Sequence, residues 1–499
     1  MRRPLALLTA TTALAAGAPA LAEEAPEAPA EAAAAAEAPA EATDRSSLPG
    51  PLEARPFVLP TAATATLSNG LRVAVVENHE VPLVAVRLIH NRGGFTDGDG
   101  KRGLASAAMD MLNEGAGGLS AEQISTAARE LGGSVSSSAG MDGGGVSLSV
   151  LSRNLGKGLD LMATVALRPD FPEADWSLMQ KKRIQELKSE RDDPNAISSR
   201  VLHAVMYSGA YVGDLVTEAD YEAITVDDLR GWHADHLSPT ESLILVGGDT
   251  TLAEVQPLLE ASFGGWAAGE TAEAPRPAAE SMRAVESSVL YLVDKPGAAQ
   301  SVVKAATFVG DELDADWFAF DLANQAIGGA FTARINMNLR EDKGITYGAR
   351  SGTSHNYLPG LWTVGASIRT DATTLGVTEI LRELTEARAD RPITQDELDN
   401  ARGGKLGGWP LAFEQPGYLL GQTVSSWRYA LGDDWLAQWI PRYEAVTLEA
   451  ANAAFVDRID PDRLVILVVG DAAVIRDELE QSTGLKAIVL DADGNPADG

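Results

Sequence analysis

Ser106, Met109 and Asp110 occupy three positions of one helical turn in the stretch GLASAAMDMLNEG, Gly103–Gly115. Ser106 and Asp110 are four apart and share a face, with Met109 beside them. The rest of the stretch is Leu, Ala and Met, which predicts a buried helix, and a carboxylate in its middle needs a partner, a ligand or water. Arg340 and Tyr347 in NLREDKGITYGA form a second candidate pair, seven residues apart. A guanidinium and a phenol hydroxyl can both donate hydrogen bonds to an oxygen acceptor. The plainer expectation is an Arg ion-paired at the end of an LRED helix and a Tyr packed in a sheet. His233 and His236 in GWHADHL stand three apart, a spacing open to metal binding, but no third ligand lies near them. They are expected to be structural or surface histidines. His79, His90, His203 and His355 are scattered singly.

The elements that must position these residues come in two copies. ITVDDLRGWHADHLSPTESLILVGGD (Ile224–Asp249) aligns without a gap with VTLEAANAAFVDRIDPDRLVILVVGD (Val446–Asp471). Thr225 matches Thr447, Asp235 matches Asp457 and Pro239 matches Pro461. Each copy reads as a helix, a Pro-marked turn and a buried strand ending at Gly-Asp. His233 and His236 face Phe455 and Arg458 in this alignment, which further weakens a metal role. Each half also opens with strands: ATLSNGLRVAVVEN has an Asn69-Gly70 hairpin turn, and SVLYLVDKPGAAQSVVKAATFVG plays the same part later. Helical stretches such as AEQISTAARELGG and WSLMQKKRIQELKSERDD follow. Strands and helices alternate in blocks, so the expected fold class is α+β: two homologous domains, each a mainly antiparallel sheet with helices packed on one face.

Length and composition frame these units. At 499 residues the chain exceeds one core. Residues 1–22 read as a secretory signal peptide, with two arginines, an apolar run and a small-residue ALA before Glu23. Cleavage near Ala22 would place the mature protein in the periplasm or outside the cell. Residues 23–54 are an Ala/Pro/Glu-rich tether, expected to be disordered. The first domain is expected over 55–266, a linker over 267–284, the second domain over 285–487 and a tail over 488–499. No later apolar run approaches the roughly 20 residues that span a bilayer, so no membrane span is expected. The net charge of -31 argues against nucleic acid as a partner. The absence of cysteine excludes disulfides and thiolate metal sites.

GGFTDGDGKRGLASAAMDMLNEGAGGLSAEQISTAARELGGSVSSS resembles the N-terminal signature of the insulinase/pitrilysin metallopeptidases, the inverzincins that include mitochondrial processing peptidase. ERDDP, DKPGAAQS, RINMNLREDKGITYGA and the two Gly-Asp strand ends extend the resemblance over about residues 60 to 485. Active members carry His-x-x-Glu-His on this helix, two zinc ligands flanking a water-activating Glu, and a distal Glu completes the site. On this chain the two His positions fall on Ser106 and Asp110, the catalytic Glu on Met109 and the distal ligand on Glu186. A hydroxyl is a poor zinc ligand and Met109 can activate no water. No cofactor or metal is therefore expected in this chain, and Asp110 is expected to stand in a water-filled relic of the zinc cavity. A hard cation on Asp110 and Glu186 is the less favoured alternative.

The resemblance further implies that Arg340 and Tyr347 reach the substrate at a zinc site across a chamber built from four such domains. This chain, with two, would supply half of that clam-shell. It looks like the non-zinc subunit of a heterodimeric bacterial peptidase whose partner subunit carries the zinc and whose substrate is a peptide. A catalytically inactive peptide-binding or scaffold protein with no peptidase partner is the alternative. The Ser- and Gly-rich segment Gly132–Val150 is expected to be either a peptide-pairing edge strand or a plain hairpin.

Overall fold

The computed structural model describes residues 62–208, 213–267, 269, 285–354, 360–413, 416–429, 431–432 and 434–497. The expected signal peptide and tether, nearly all of the expected linker, and His355 lie outside the described residues. Two six-stranded sheets organise the rest. The first runs, in spatial order, Ala63–Thr66, Arg72–Glu77, Ser242–Gly248, Leu83–His90, Gly144–Leu151 and Ser134–Ala139. The second runs Ala487–Leu490, Val289–Asp294, Val465–Gly470, Gln300–Gly310, Gly360–Arg369 and Thr346–Ser354.

Five strands correspond one to one. In each half the first of these pairs in parallel with the Gly-Asp strand, and the other three neighbouring pairs are antiparallel. The aligned elements also match: helix Val226–His236 with Leu448–Arg458, turn Pro239–Glu241 with Pro461–Arg463, and strand Ser242–Gly248 with Val465–Gly470. Thr225 caps the first helix by accepting from the Asp228 N–H, and Thr447 caps the second by accepting from Ala450 N–H. The Gly-Asp strands are buried along their whole length, as their unbroken apolar sequences require.

The helices do not stay on one face of their own sheet. Helix Pro194–Met206, from the first half, lays Ile197, Val201, Leu202 and Met206 on second-sheet residues that include Val302, Ala306, Val465 and Leu467. Helix Pro416–Arg428 returns the exchange, with Leu419 and Leu420 in one cluster with Leu243 and Leu245 of the first sheet. Burying each such side chain is worth roughly 1.5–3 kcal/mol, so each half completes the other's core. The stretch read as a tail also takes part. Ala487–Leu490 pairs in parallel with Val289–Asp294, and Asp493 accepts from Arg191 Nε at 2.9 Å. Among the described residues no helix is long and apolar enough to cross a membrane.

Candidate functional site

Asp97 starts the helix Leu104–Met111 by accepting from the Gly103 and Ala105 N–H groups at 2.6 and 2.7 Å. Gly103 has φ +87°, and a Cβ there would lie 2.9 Å from the Tyr221 ring, so glycine is required on both counts. The helix buries Ala105, Ala108, Met109 and Met111 in the core of the first half. Met109 is fully buried and contributes nothing to the adjoining cavity. Ser106 and Asp110 do line it, a space of about 420 Å³ between this helix and Glu173–Glu190, and Glu186 lines it from the other side.

An arginine that the sequence did not single out fills the position between them. Arg183 donates through one terminal nitrogen to Ser106 Oγ at 3.2 Å and to a carboxylate oxygen of Asp110. Its other terminal nitrogen donates to Tyr221 Oη at 3.0 Å, and its guanidinium lies 5.4 Å from the Tyr221 ring centroid. Burial pushes the Asp110 carboxyl above its ordinary value, and Arg183 pulls it back. Glu186 pairs with Lys182, which also lines the cavity, at 3.7 Å. A relic cavity does stand beside Asp110, and the chain itself supplies a fixed cation at its wall.

The second half repeats this arrangement. Lys405 pairs with Asp321 at 2.7 Å, its ammonium lies 5.7 Å from the Tyr443 ring centroid, and Tyr443 donates to Asp321 at 2.6 Å. Lys405 and Tyr443 match Arg183 and Tyr221 at the same constant offset that relates Ile224 to Val446. Gln180 and Arg402 also match, and they bond the Tyr221 and Tyr443 carbonyls at 2.7 and 3.2 Å. Pro194 and Pro416, which open the two exchanged helices, keep the offset too. Carrying the gapless alignment back from Ile224 to Glu173 would have exposed the matched base and tyrosine in the sequence, though not their acids Asp110 and Asp321, which lie outside that stretch.

Arg340 and Tyr347 lie on the second half. Arg340 occupies a wide π-helical turn, Met337–Asp342, pairs with Glu341 at 3.1 Å and stacks 4.7 Å from the Phe331 ring centroid. Tyr347 is 90% exposed, so the expectation of a tyrosine packed in the sheet fails for this residue. Between Thr346 and Ala349 the pairing with strand Gly360–Arg369 shifts register, and such bulges re-aim side chains. Asn336, fully buried, ties the two segments together: Nδ2 donates to the Phe331 carbonyl at 2.6 Å, and Oδ1 accepts from the Ala349 N–H at 2.9 Å. Asn336→Ala removes the partner of the buried Ala349 amide and of the less buried Phe331 carbonyl, an expected loss of about 1–2 kcal/mol seen as a lowered urea midpoint. An unchanged midpoint would show that Asn336 is dispensable to the bulge.

The histidines are less scattered than they read. His90 is buried at the end of its strand, its ring centroid 6.0 Å from that of Trp232, which is 5.3 Å from that of His236. His233 Nε2 bonds the Ala166 carbonyl at 2.8 Å, and His79 bonds Asp249 at 2.8 Å. Burial lowers the His90 pKa to about 3, with the nearby charge of Arg428 and the rings of His233 and His236 acting in the same direction. Above pH 6.5 neither the folded nor the unfolded chain protonates this ring. Below it the unfolded chain takes up a proton that the fold refuses, so stability falls by ~1.4 kcal/mol per pH unit until about pH 3. A folded His90→Phe variant is expected to be less acid-sensitive than the parent by about 2 kcal/mol between pH 7 and 5 in urea melts. Equal acid sensitivity would remove His90 from that account.

A family model described as Insulinase (Peptidase family M16) matches residues 72–219, and one described as Peptidase M16 inactive domain matches residues 223–404. The chain belongs to the insulinase family. A protein described as an uncharacterized zinc protease from Streptomyces coelicolor is 24% identical over 76% of this chain and 84% of its own length. The uncharacterized zinc protease YmxG of Bacillus subtilis is 24% identical over 78% and 93%. Among solved structures, a peptidase M16 inactive domain from Pseudomonas fluorescens superposes with TM-score 0.75 at 24% identity, covering 82% of this chain and 98% of that one. A protease from Helicobacter pylori gives TM-score 0.74 at 18% identity, covering 82% and 100%. The family's two-domain, mixed helix-and-sheet fold is thus present, but neither of the two His positions that the resemblance assigns to zinc holds a histidine. Ser106, an Asp110 paired with Arg183 and a Glu186 paired with Lys182 do not fit a zinc ion, and Arg183 spans the first two. No group of three potential ligands gathers anywhere among the described residues.

Proposed function

We propose that this chain is the exported, non-zinc subunit of a heterodimeric insulinase-family peptidase, contributing Arg340 and Tyr347 to a zinc site on its partner. One contrast carries the reading. The first half has replaced its zinc ligands with an internal salt bridge, whereas the second half keeps a guanidinium and a fully presented phenol on a stabilised bulge. Such a pair can donate hydrogen bonds to the carbonyl oxygen of a bound peptide, and the bonds strengthen as that oxygen gains negative charge. The zinc and its water belong to the partner. The two domains of this chain would form half of the peptide-enclosing chamber, and the signal-like N-terminus supports a periplasmic or secreted setting.

The test is a native pull-down of the tagged protein from its own host, with mass spectrometry of what co-purifies. A stoichiometric partner of similar size bearing His-x-x-Glu-His is expected. Recovery of this chain alone would favour the scaffold alternative, and zinc-dependent peptide cleavage by the isolated chain would overturn the proposal.

A further inference from the structure

The second-half counterpart of the zinc-helix cavity is not built like the first. It is a space of about 240 Å³ beside helices Trp317–Asn324 and Gln395–Phe413, with helix Trp435–Ala445 forming another wall. Four of the chain's nine tryptophans, Trp317, Trp409, Trp435 and Trp439, line it. The first-half cavity is lined by no aromatic residue. Aromatic faces carry negative potential and attract cations. The cage already shows that preference toward its own side chains, since Lys405 Nζ sits 5.7 Å from the Tyr443 ring centroid and Arg442 stacks 4.8 Å from that of Trp435.

Charge decides what else the space would accept. Asp321 is satisfied by Lys405 and Tyr443. Glu312 also lines the cavity, and its carboxylate makes no hydrogen bond or ion pair among the described residues. Glu312 forms no ion pair of its own, the Lys405 ammonium acts on it only through space, and two carboxylates thus share one lysine beside the nearly buried indoles. We propose that this aromatic cage is a binding site for an organic cation, an alkylammonium or guanidinium group held by Glu312 and the tryptophan faces. Burial and the nearby Asp321 push the Glu312 carboxyl above its ordinary value, and a bound cation would reverse that. The proposal requires neither a partner subunit nor catalysis.

The test titrates the full chain, at low ionic strength, with choline, with its neutral isostere 3,3-dimethylbutan-1-ol, and with the blocked peptide acetyl-Gly-Lys-Gly-amide, following tryptophan fluorescence and heat. At least one of the two cations is expected to bind saturably and roughly tenfold or more tightly than the neutral alcohol. Tighter binding of choline supports a free small cation, and tighter binding of the peptide supports a basic side chain. Glu312→Gln, which keeps the shape of the cavity, is expected to weaken the cation about tenfold while leaving the alcohol unchanged. Equal affinity for choline, peptide and alcohol, no binding of either cation, or undiminished cation binding by the Glu312→Gln chain would overturn the proposal.

Discussion

Replacing Arg340 with alanine in the heterodimer proposed above is expected to lower kcat by roughly 10²–10³-fold, about 3–4 kcal/mol of transition-state stabilisation, with little change in KM. The asymmetry follows from the chemistry assigned to the residue. A neutral peptide carbonyl gains little from a half-exposed guanidinium, whereas the oxyanion gains a charge-assisted hydrogen bond. Arg340 is already restrained by the Phe331 ring and by Glu341, so little side-chain freedom remains to be lost when substrate arrives. Tyr347→Phe removes only a hydroxyl and is expected to cost less, about tenfold. The measurement is steady-state cleavage of a fluorogenic peptide by co-purified complexes, with binding of the two subunits checked separately. If the Arg340→Ala complex assembles and cleaves at the parental rate, the pair has no part in catalysis, and the scaffold reading gains.

Much of this arrangement is legible in the sequence because it rests on local signals. The gapless match of Ile224–Asp249 with Val446–Asp471 marks two equivalent units, and the strands, turns and capped helices fall where alternation, proline and threonine place them. Ser106 and Met109 read as unable to do zinc chemistry once the insulinase resemblance assigns them the positions of a ligand and of the water-activating Glu. Three features are not legible in that way. The exchange of helices Pro194–Met206 and Pro416–Arg428 depends on which apolar face finds which sheet, and periodicity is silent on that. The exposure of Tyr347 comes from a bulge whose freed amide is satisfied by Asn336, a contact thirteen residues away. The partner of Asp110 is a third case. Arg183 lies 73 residues downstream, and an arginine in a helix rich in Lys and Glu looks like any solvent-facing charge.

That third case yields the second large effect. Arg183→Met is expected to destabilise the fold by about 1–2 kcal/mol, because it leaves the half-exposed Asp110 carboxylate, Ser106 and Tyr221 without their donor, with solvent screening part of the lost ion pair. The deficit has a pH signature. Without the guanidinium, burial raises the folded-state pKa of Asp110 further above its unfolded value. The deficit is then small near and below the unfolded value and grows as pH rises toward the folded one. Adding Asp110→Leu to Arg183→Met removes the stranded charge and is expected to recover most of the loss, which double-mutant urea melts at pH 5 and pH 8 can read. If Asp110 and Glu186 instead held a hard cation, divalent ions would raise the Tm of the parent, and removing Arg183 would strengthen that response. No such rise is expected, because Glu186 is turned toward Lys182 and Asp110 is already claimed. The Asp321–Lys405–Tyr443 cluster of the second half gives the reason to expect an inherited structural latch. Lys405→Met should produce a deficit of the same sign, as two copies of one design would.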